Sequence, residues 1–253
     1  MKFSVVIPMI FHQLPLVDGL RKAHGTGMLN AEVMHWQEVD VDELIKVKEQ
    51  LNMNVVMMNT QMMQLADPTL HTAFLDGLSY AIEISKKFGC SNLFCVPGIE
   101  VPSVTRSVQK DRVIAVLKEA AKMLEQAGSI LHLEPLNTKI DHPGQFLSSS
   151  DEAFDMVKWI GSPNVKVLFD IYHQQVTEGD VMRRMAENID YIGHIHASNN
   201  PGRTKIPVGE LNYPYIFEEL DKLNYKGYVG IEYLPHTVED AVEDLMEFRR
   251  IYG

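Results

Sequence analysis

Four short apolar runs in the second half of the chain each end in a residue type that binds hard cations. Residues 130–134 read Ile-Leu-His-Leu-Glu, with Pro135 next; residues 165–170 read Val-Lys-Val-Leu-Phe-Asp; residues 191–196 read Tyr-Ile-Gly-His-Ile-His; residues 228–232 read Tyr-Val-Gly-Ile-Glu. Runs of this length and composition are buried strands, and a proline directly after Glu134 cannot continue a ladder. The strands therefore deliver Glu134, Asp170, His196 and Glu232 at their C-terminal ends. A carboxylate there is costly unless a partner or a metal meets it. Three beside a neutral imidazole carry a formal charge of −3, which a low-dielectric site cannot hold without a cation. The strands offer almost no basic partner, since Lys166 lies near the opposite end of its strand, so a metal is expected rather than a network of ion pairs. Three oxygen donors and one imidazole, with no thiolate, suit Mn²⁺, Mg²⁺ or Co²⁺. His132 and His194 precede two of these residues by two positions and share their inward face. They read as core or supporting histidines rather than ligands.

The elements that must position these residues alternate along the whole chain. Strands are expected at about 3–7, 31–34, 54–58, 92–96, 130–134, 165–170, 191–196 and 228–232. Helices are expected between and after them at about 14–23, 41–51, 70–88, 106–127, 150–159, 178–187, 213–223 and from 237 to about 250. Asp40 with Glu43 and Ser149 with Glu152 carry capping signatures, while Gly89 and Gly128 stand where left-handed caps belong. Val113, Val116, Leu117, Ala120 and Leu124 fall on one helix face. Strict alternation demands a parallel sheet. Eight units in 253 residues, with no linker or change of composition, predict one (β/α)₈ barrel domain spanning 1–253, of α/β class. An open doubly wound sheet would want a glycine-rich phosphate turn after an early strand, and none is present. Closed barrels carry their sites at the C-terminal ends of the strands, where the four residues stand.

Composition narrows the functional classes. The apolar fraction of 45% suffices for a full core, and the formal charge of −11 argues against a polyanion such as nucleic acid as partner. Cys90 and Cys95 have no repeated spacing and read as buried thiols rather than a disulfide. The first apolar run, about residues 3–7, is too short for a signal peptide or a membrane span, and no later run approaches span length. A soluble cytoplasmic protein without membrane partners is expected; a homo-oligomer is compatible with the sequence, although no stretch marks an interface. The 14 methionines read as flexible core filler.

Some loop residues could also act. His173 follows Asp170 by three positions and could touch a substrate or stand in solvent. Arg203, in Asn-Asn-Pro-Gly-Arg, could hold an anionic or hydroxylated substrate or be exposed. Glu210 and Asn212 could simply cap the following helix, and Asp141, His142 and Gly144 could form part of a lid.

Leu-Glu-Pro-Leu-Asn-Thr at 133–138, Asp-His-Pro-Gly at 141–144, Ser-Pro-Asn-Val-Lys at 162–166, Phe-Asp-Ile-Tyr-His-Gln at 169–174, Asn-Ile-Asp-Tyr-Ile-Gly-His at 188–194, Gly-Glu-Leu-Asn-Tyr at 209–213 and Gly-Ile-Glu-Tyr-Leu-Pro at 230–235 together carry a family likeness. They resemble the xylose-isomerase-like TIM-barrel isomerases and epimerases, most closely the hydroxypyruvate isomerase branch. The likeness runs over most of the chain and is densest from about 130 to 235. It implies that Glu134, Asp170, His196 and Glu232 bind one divalent metal, that Glu134 and Glu232 double as the acid/base pair, and that His173 and Arg203 contact substrate. It also implies isomerisation of a small α-hydroxy carbonyl compound through a metal-stabilised enediolate, hydroxypyruvate to tartronate semialdehyde or a related 2-oxo acid or sugar. The alternatives are a ketose 3-epimerase and a non-catalytic sugar-binding barrel. An endonuclease of the same barrel ancestry would need more metal ligands and a basic face. Two departures stand out: Thr204 and Lys205 replace the branch's usual His-Glu after the arginine, and position 196 is His, usual in ketose 3-epimerases, where many hydroxypyruvate isomerases have Gln.

Overall fold

The computed structural model describes residues 1–61 and 63–253. Its elements follow in the order β1 (Lys2–Val6), α1 (Ile7–Ile10), α2 (Leu16–Gly25), β2 (Asn30–Val33), α3 (Val41–Gln50), β3 (Asn54–Asn59), α4 (His71–Phe88), β4 (Asn92–Cys95) and α5 (Arg106–Ala127). The second half continues with β5 (Ile130–Leu133), α6 (Ser150–Ile160), β6 (Val165–Asp170), α7 (Ile171–Thr177), α8 (Val181–Asn188), β7 (Ile192–Ala197), α9 (Tyr213–Lys222), β8 (Tyr228–Ile231) and α10 (Val238–Tyr252). The strands form a closed parallel barrel in sequence order, with β8 pairing back onto β1. This is the (β/α)₈ architecture expected from the alternation.

The chain comprises two compact units, two of whose boundaries fall inside β3 and β7. The first comprises Met1–Met58, Lys87–Cys90 and Ile195–Gly253. Val5, Ala31, Val33, Val229 and Ile231 fill its strands, and Phe3 packs edge-on against Phe217 and Phe248 at centroid distances of 5.2 and 4.9 Å. The second comprises Asn59–Lys86 and Ser91–His194. There β4, β5 and β6 pair in register, and α5 buries Val113, Val116, Leu117, Ala120 and Leu124 as its periodicity requires.

Local chemistry explains the element ends. Asp40 accepts from the amides of Asp42 and Glu43, Ser149 from that of Glu152, and Thr237 from that of Asp240. Each satisfies a first-turn donor that the helix itself cannot. Gly128 ends α5 at φ +68, in the left-handed region where glycine meets no steric penalty.

Two helices were not expected. Pro8 does not simply end the first strand; it sits in the first turn of α1, where its missing N–H costs nothing. Asp170 turns β6 directly into α7 by capping it, and Gly179 and Asp180, at φ +68 and +53, break the chain before α8. The expected helix from 178 therefore starts three residues later. Among the described residues no helix is long and apolar enough to cross a membrane. Cys90 and Cys95 are both buried.

Candidate active site

β5, β6 and β8 end at or one residue before Glu134, Asp170 and Glu232, and His196 is the penultimate residue of β7. The ladder continues briefly past two of these ends: the amide of Glu134 donates to Cys95 O at 3.1 Å and that of Glu232 to Ala197 O at 2.9 Å. All four side chains are buried, Glu134 and Asp170 in the second unit, His196 and Glu232 in the first.

Within the first unit, two buried groups converge on Glu232. Arg203 Nη2 donates to Glu232 Oε2 at 2.8 Å, and His196 Nδ1 stands 3.0 Å from the same oxygen. The expectation of strand ends without a basic partner is thus corrected: the cation comes from the loop after β7, which the strand sequences do not reveal. Arg203 is 8% exposed and adopts φ +55. Its loop is organised by Asn199, whose Oδ1 accepts from the amides of Asn200 and Leu211 at 2.9 Å each and whose Nδ2 donates to Ile206 O at 2.7 Å. A Cβ at Gly209 would lie 2.3 Å from Asn199 Oδ1, which is why a glycine opens the 209–213 motif. Asn212 caps α9, while Glu210 accepts from Asn200 Nδ2. Thr204 bonds backbone carbonyls in its own loop, and Lys205 pairs with Asp244 at 2.6 Å.

Within the second unit, Asp170 divides its carboxylate. Oδ1 accepts from the amide of His173 at 3.1 Å as the α7 cap, while Oδ2 stands 3.6 Å from His173 Nε2. His173 is fully buried rather than exposed on the loop. Asn137 Nδ2 donates to its Nδ1 at 2.6 Å and to Asp141 Oδ2 at 2.6 Å, and Tyr172 donates to the same Asp141 oxygen at 2.9 Å. The loop after β5, with the His142 ring 5.2 Å from that of His173 and inclined to it by 59°, is therefore tied to α7. His132 and His194 lie one layer deeper, their ring centroids 6.2 Å apart, and His132 Nε2 meets Asn92 Oδ1 at 3.2 Å. Burial, aided by neighbouring Glu134, pushes the Cys95 thiol up to about 12, so it is a neutral wall and no anionic donor.

Three residues that the sequence reading did not single out complete this picture: Ser4, Glu32 and Asn137. Glu32 had a legible signal, an acid inside the short strand Asn-Ala-Glu-Val, where a fully buried charge demands partners.

The donors at these strand ends are the carboxylates of Glu134 and Asp170 in the second unit and, in the first, the carboxylate of Glu232 and the imidazole of His196. Hard oxygen donors and an imidazole fit a divalent cation in donor type. A closed parallel barrel with buried carboxylates and an imidazole at its strand ends defines a class of barrel enzymes. Residues 21–252 match the family described as xylose isomerase-like TIM barrel. Hydroxypyruvate isomerase of Escherichia coli (strain K12) is 28% identical, over 95% of this chain and 96% of its own. A 2-oxo-tetronate isomerase of Cupriavidus necator is 35% identical over 69% of this chain and 66% of its own. The crystal structure titled AP endonuclease, family 2 from Brucella melitensis superposes with a TM-score of 0.92 at 28% identity, covering 99% of each chain. The chain belongs to the xylose isomerase-like TIM barrel family, and it is an enzyme of the isomerase class, in which epimerases are included.

Proposed function

We propose that this enzyme is a divalent-metal-dependent isomerase of a small α-hydroxy carbonyl compound, with hydroxypyruvate and tartronate semialdehyde, or a related 2-oxo acid or sugar, as the pair it interconverts. The observation that carries the reading is that Glu134, Asp170, His196 and Glu232 stand buried at or beside the C-terminal ends of β5, β6, β7 and β8. These four would hold one ion, Mn²⁺, Mg²⁺ or Co²⁺. When bound, the ion supplies Lewis acidity towards the carbonyl and hydroxyl oxygens of the substrate.

The protein's own groups account for the rest. Glu134 and Glu232 are the acid/base pair: one removes the proton from the hydroxyl-bearing carbon, and a glutamate returns a proton to the neighbouring carbon. The hydroxyl proton passes in turn to the former carbonyl oxygen, so carbonyl and hydroxyl exchange places with no net loss of atoms. Arg203, already on Glu232, suits the carboxylate of a 2-oxo acid, since a guanidinium matches planar oxyanions. His173, its ring held by Asn137, contacts substrate from the first turn of α7. The formal charge of −11 favours such a small molecule over nucleic acid. We also infer that residues 1–253 act as one barrel domain, a reading supported by the closed ring of strands and tested by whether unfolding is a single transition.

The second reading is a ketose 3-epimerase, favoured by histidine at 196. One experiment addresses both. Metal-stripped protein, restored with each ion, is offered hydroxypyruvate and a ketose panel in D₂O, and products are followed by NMR. Metal-dependent conversion with deuterium entering the neighbouring carbon is the expected outcome. Exchange at one carbon with inversion would replace it by the epimerase. Binding of metal and of these compounds without turnover would favour a non-catalytic barrel and overturn both.

A further inference from the structure

Glu32 is fully buried in β2 and has no place in the chemistry assigned so far. Burying a carboxylate is costly unless each oxygen is met. Ser4 Oγ donates to Oε1 at 2.6 Å, and His196 Nε2 lies 2.9 Å from Oε2. Both partners are held by strand pairing. Ser4 of β1 and His196 of β7 are the register partners of one residue of β8, Gly230, from its two sides. A Cβ at Gly230 would fall 2.1 Å from Glu32 Oε1 and 2.8 Å from His196 Cδ2. The missing side chain is thus the space through which the Glu32 carboxylate reaches the imidazole. Four strands contribute to one arrangement, Ser4–Glu32–His196 over Gly230.

We propose that Glu32 is a positioning residue that accepts the Nε2 proton of His196, fixes the ring, and presents Nδ1 on the side of Glu232. His196 Nδ1 lies 3.0 Å from Glu232 Oε2, so the ring spans the two carboxylates in the required sense. A carboxylate on the far nitrogen of a ligating imidazole selects the tautomer and raises donor strength, and its loss typically weakens metal binding about 10–100-fold. The inference rests on the reading of His196 as a metal ligand.

The test compares wild type with Glu32→Ala, Glu32→Gln, Ser4→Ala and His196→Ala. Mn²⁺ affinity is measured by calorimetry, and the tautomer of His196 by long-range ¹H–¹⁵N correlation on Mg²⁺-loaded protein. In wild type, Nε2 should carry the proton. Glu32→Ala should weaken Mn²⁺ binding about 10–100-fold and mix the tautomers. Glu32→Gln, which keeps an acceptor but not the charge, should fall between it and wild type, and Ser4→Ala should cost less than Glu32→Gln. The two milder variants keep the test open if Glu32→Ala does not fold. Weakened binding in His196→Ala with unchanged affinity and tautomer in the Glu32 variants overturns the role of Glu32 alone. Unchanged affinity in His196→Ala overturns the ligand reading on which it rests. Two Mn²⁺ per chain in wild type and one in Glu32→Gln would make Glu32 a ligand itself, which also overturns the positioning role.

Discussion

Arg203 Nη2 lies 2.8 Å from Glu232 Oε2, with both side chains buried. Removing one partner of a buried pair strands the other, at a cost of about 3–5 kcal/mol. A bound cation would offset that loss, because it supplies Glu232 with a second positive partner. Arg203→Ala should therefore be much less stable than wild type in chelator and recover disproportionately on adding Mn²⁺. Thermal unfolding with and without metal checks this. An equal metal-induced shift in both proteins would count against Glu232 as a ligand.

Glu134→Gln and Glu232→Gln should separate chemistry from stability. Losing an acid/base group costs about 10²–10⁴ in rate, so either variant should lose kcat by that order at saturating metal. Their stabilities should differ, since only Glu232→Gln leaves the buried Arg203 without its carboxylate. Circular dichroism, denaturant unfolding and single-turnover rates on metal-loaded protein measure all three quantities. Activity within about tenfold of wild type in both would remove the acid/base assignment.

What was legible in the sequence was what a strand end exposes. An acid or histidine closing an apolar run is a boundary event, and Glu134, Asp170, His196 and Glu232 all announced themselves in that way. Glu32 did not, because it stands inside β2, and only the gap at Gly230 two strands away explains why an acid is tolerated there. Arg203 was visible as a candidate, yet its partner was not: the pairing depends on the fold of the loop around Asn199, a long-range property. The helix after Asp170 was hidden because one carboxylate both ends the strand and caps the helix, leaving no loop residues to mark the change.

Cys95 makes the alkaline stability limit testable. Burial raises its thiol from the ordinary 9.0 to about 12. Between those values the folded chain holds a proton that the unfolded chain releases. The stability this contributes is complete below about pH 9 and declines as pH rises towards 12, by about 1.4 kcal/mol per unit. Between pH 8 and 10 wild type should thus lose about 1.4 kcal/mol more than Cys95→Ala in urea unfolding. Neither Cys90 nor Cys95 should react quickly with a thiol reagent until the protein unfolds, because both are buried. Parallel pH slopes in the two proteins would show that Cys95 is not protonated by the fold.

Asp170 offers the cleanest separation of structure from ligation. Its Oδ1 caps α7 through the amide of His173, while Oδ2 stands on the side of His173 Nε2. Asparagine is as good a cap as aspartate, whereas alanine costs about 0.5–2 kcal/mol at such a position. Asp170→Asn should therefore keep α7 and most of the apo-protein's stability. It should nevertheless lose metal affinity, because a neutral amide replaces an anionic oxygen on a hard cation. Asp170→Ala should lose both. Mn²⁺ titration and chelator-state melting of the two variants give the comparison. Wild-type metal affinity in Asp170→Asn would reduce Asp170 to a helix cap and leave Glu134, His196 and Glu232 as the ligand set.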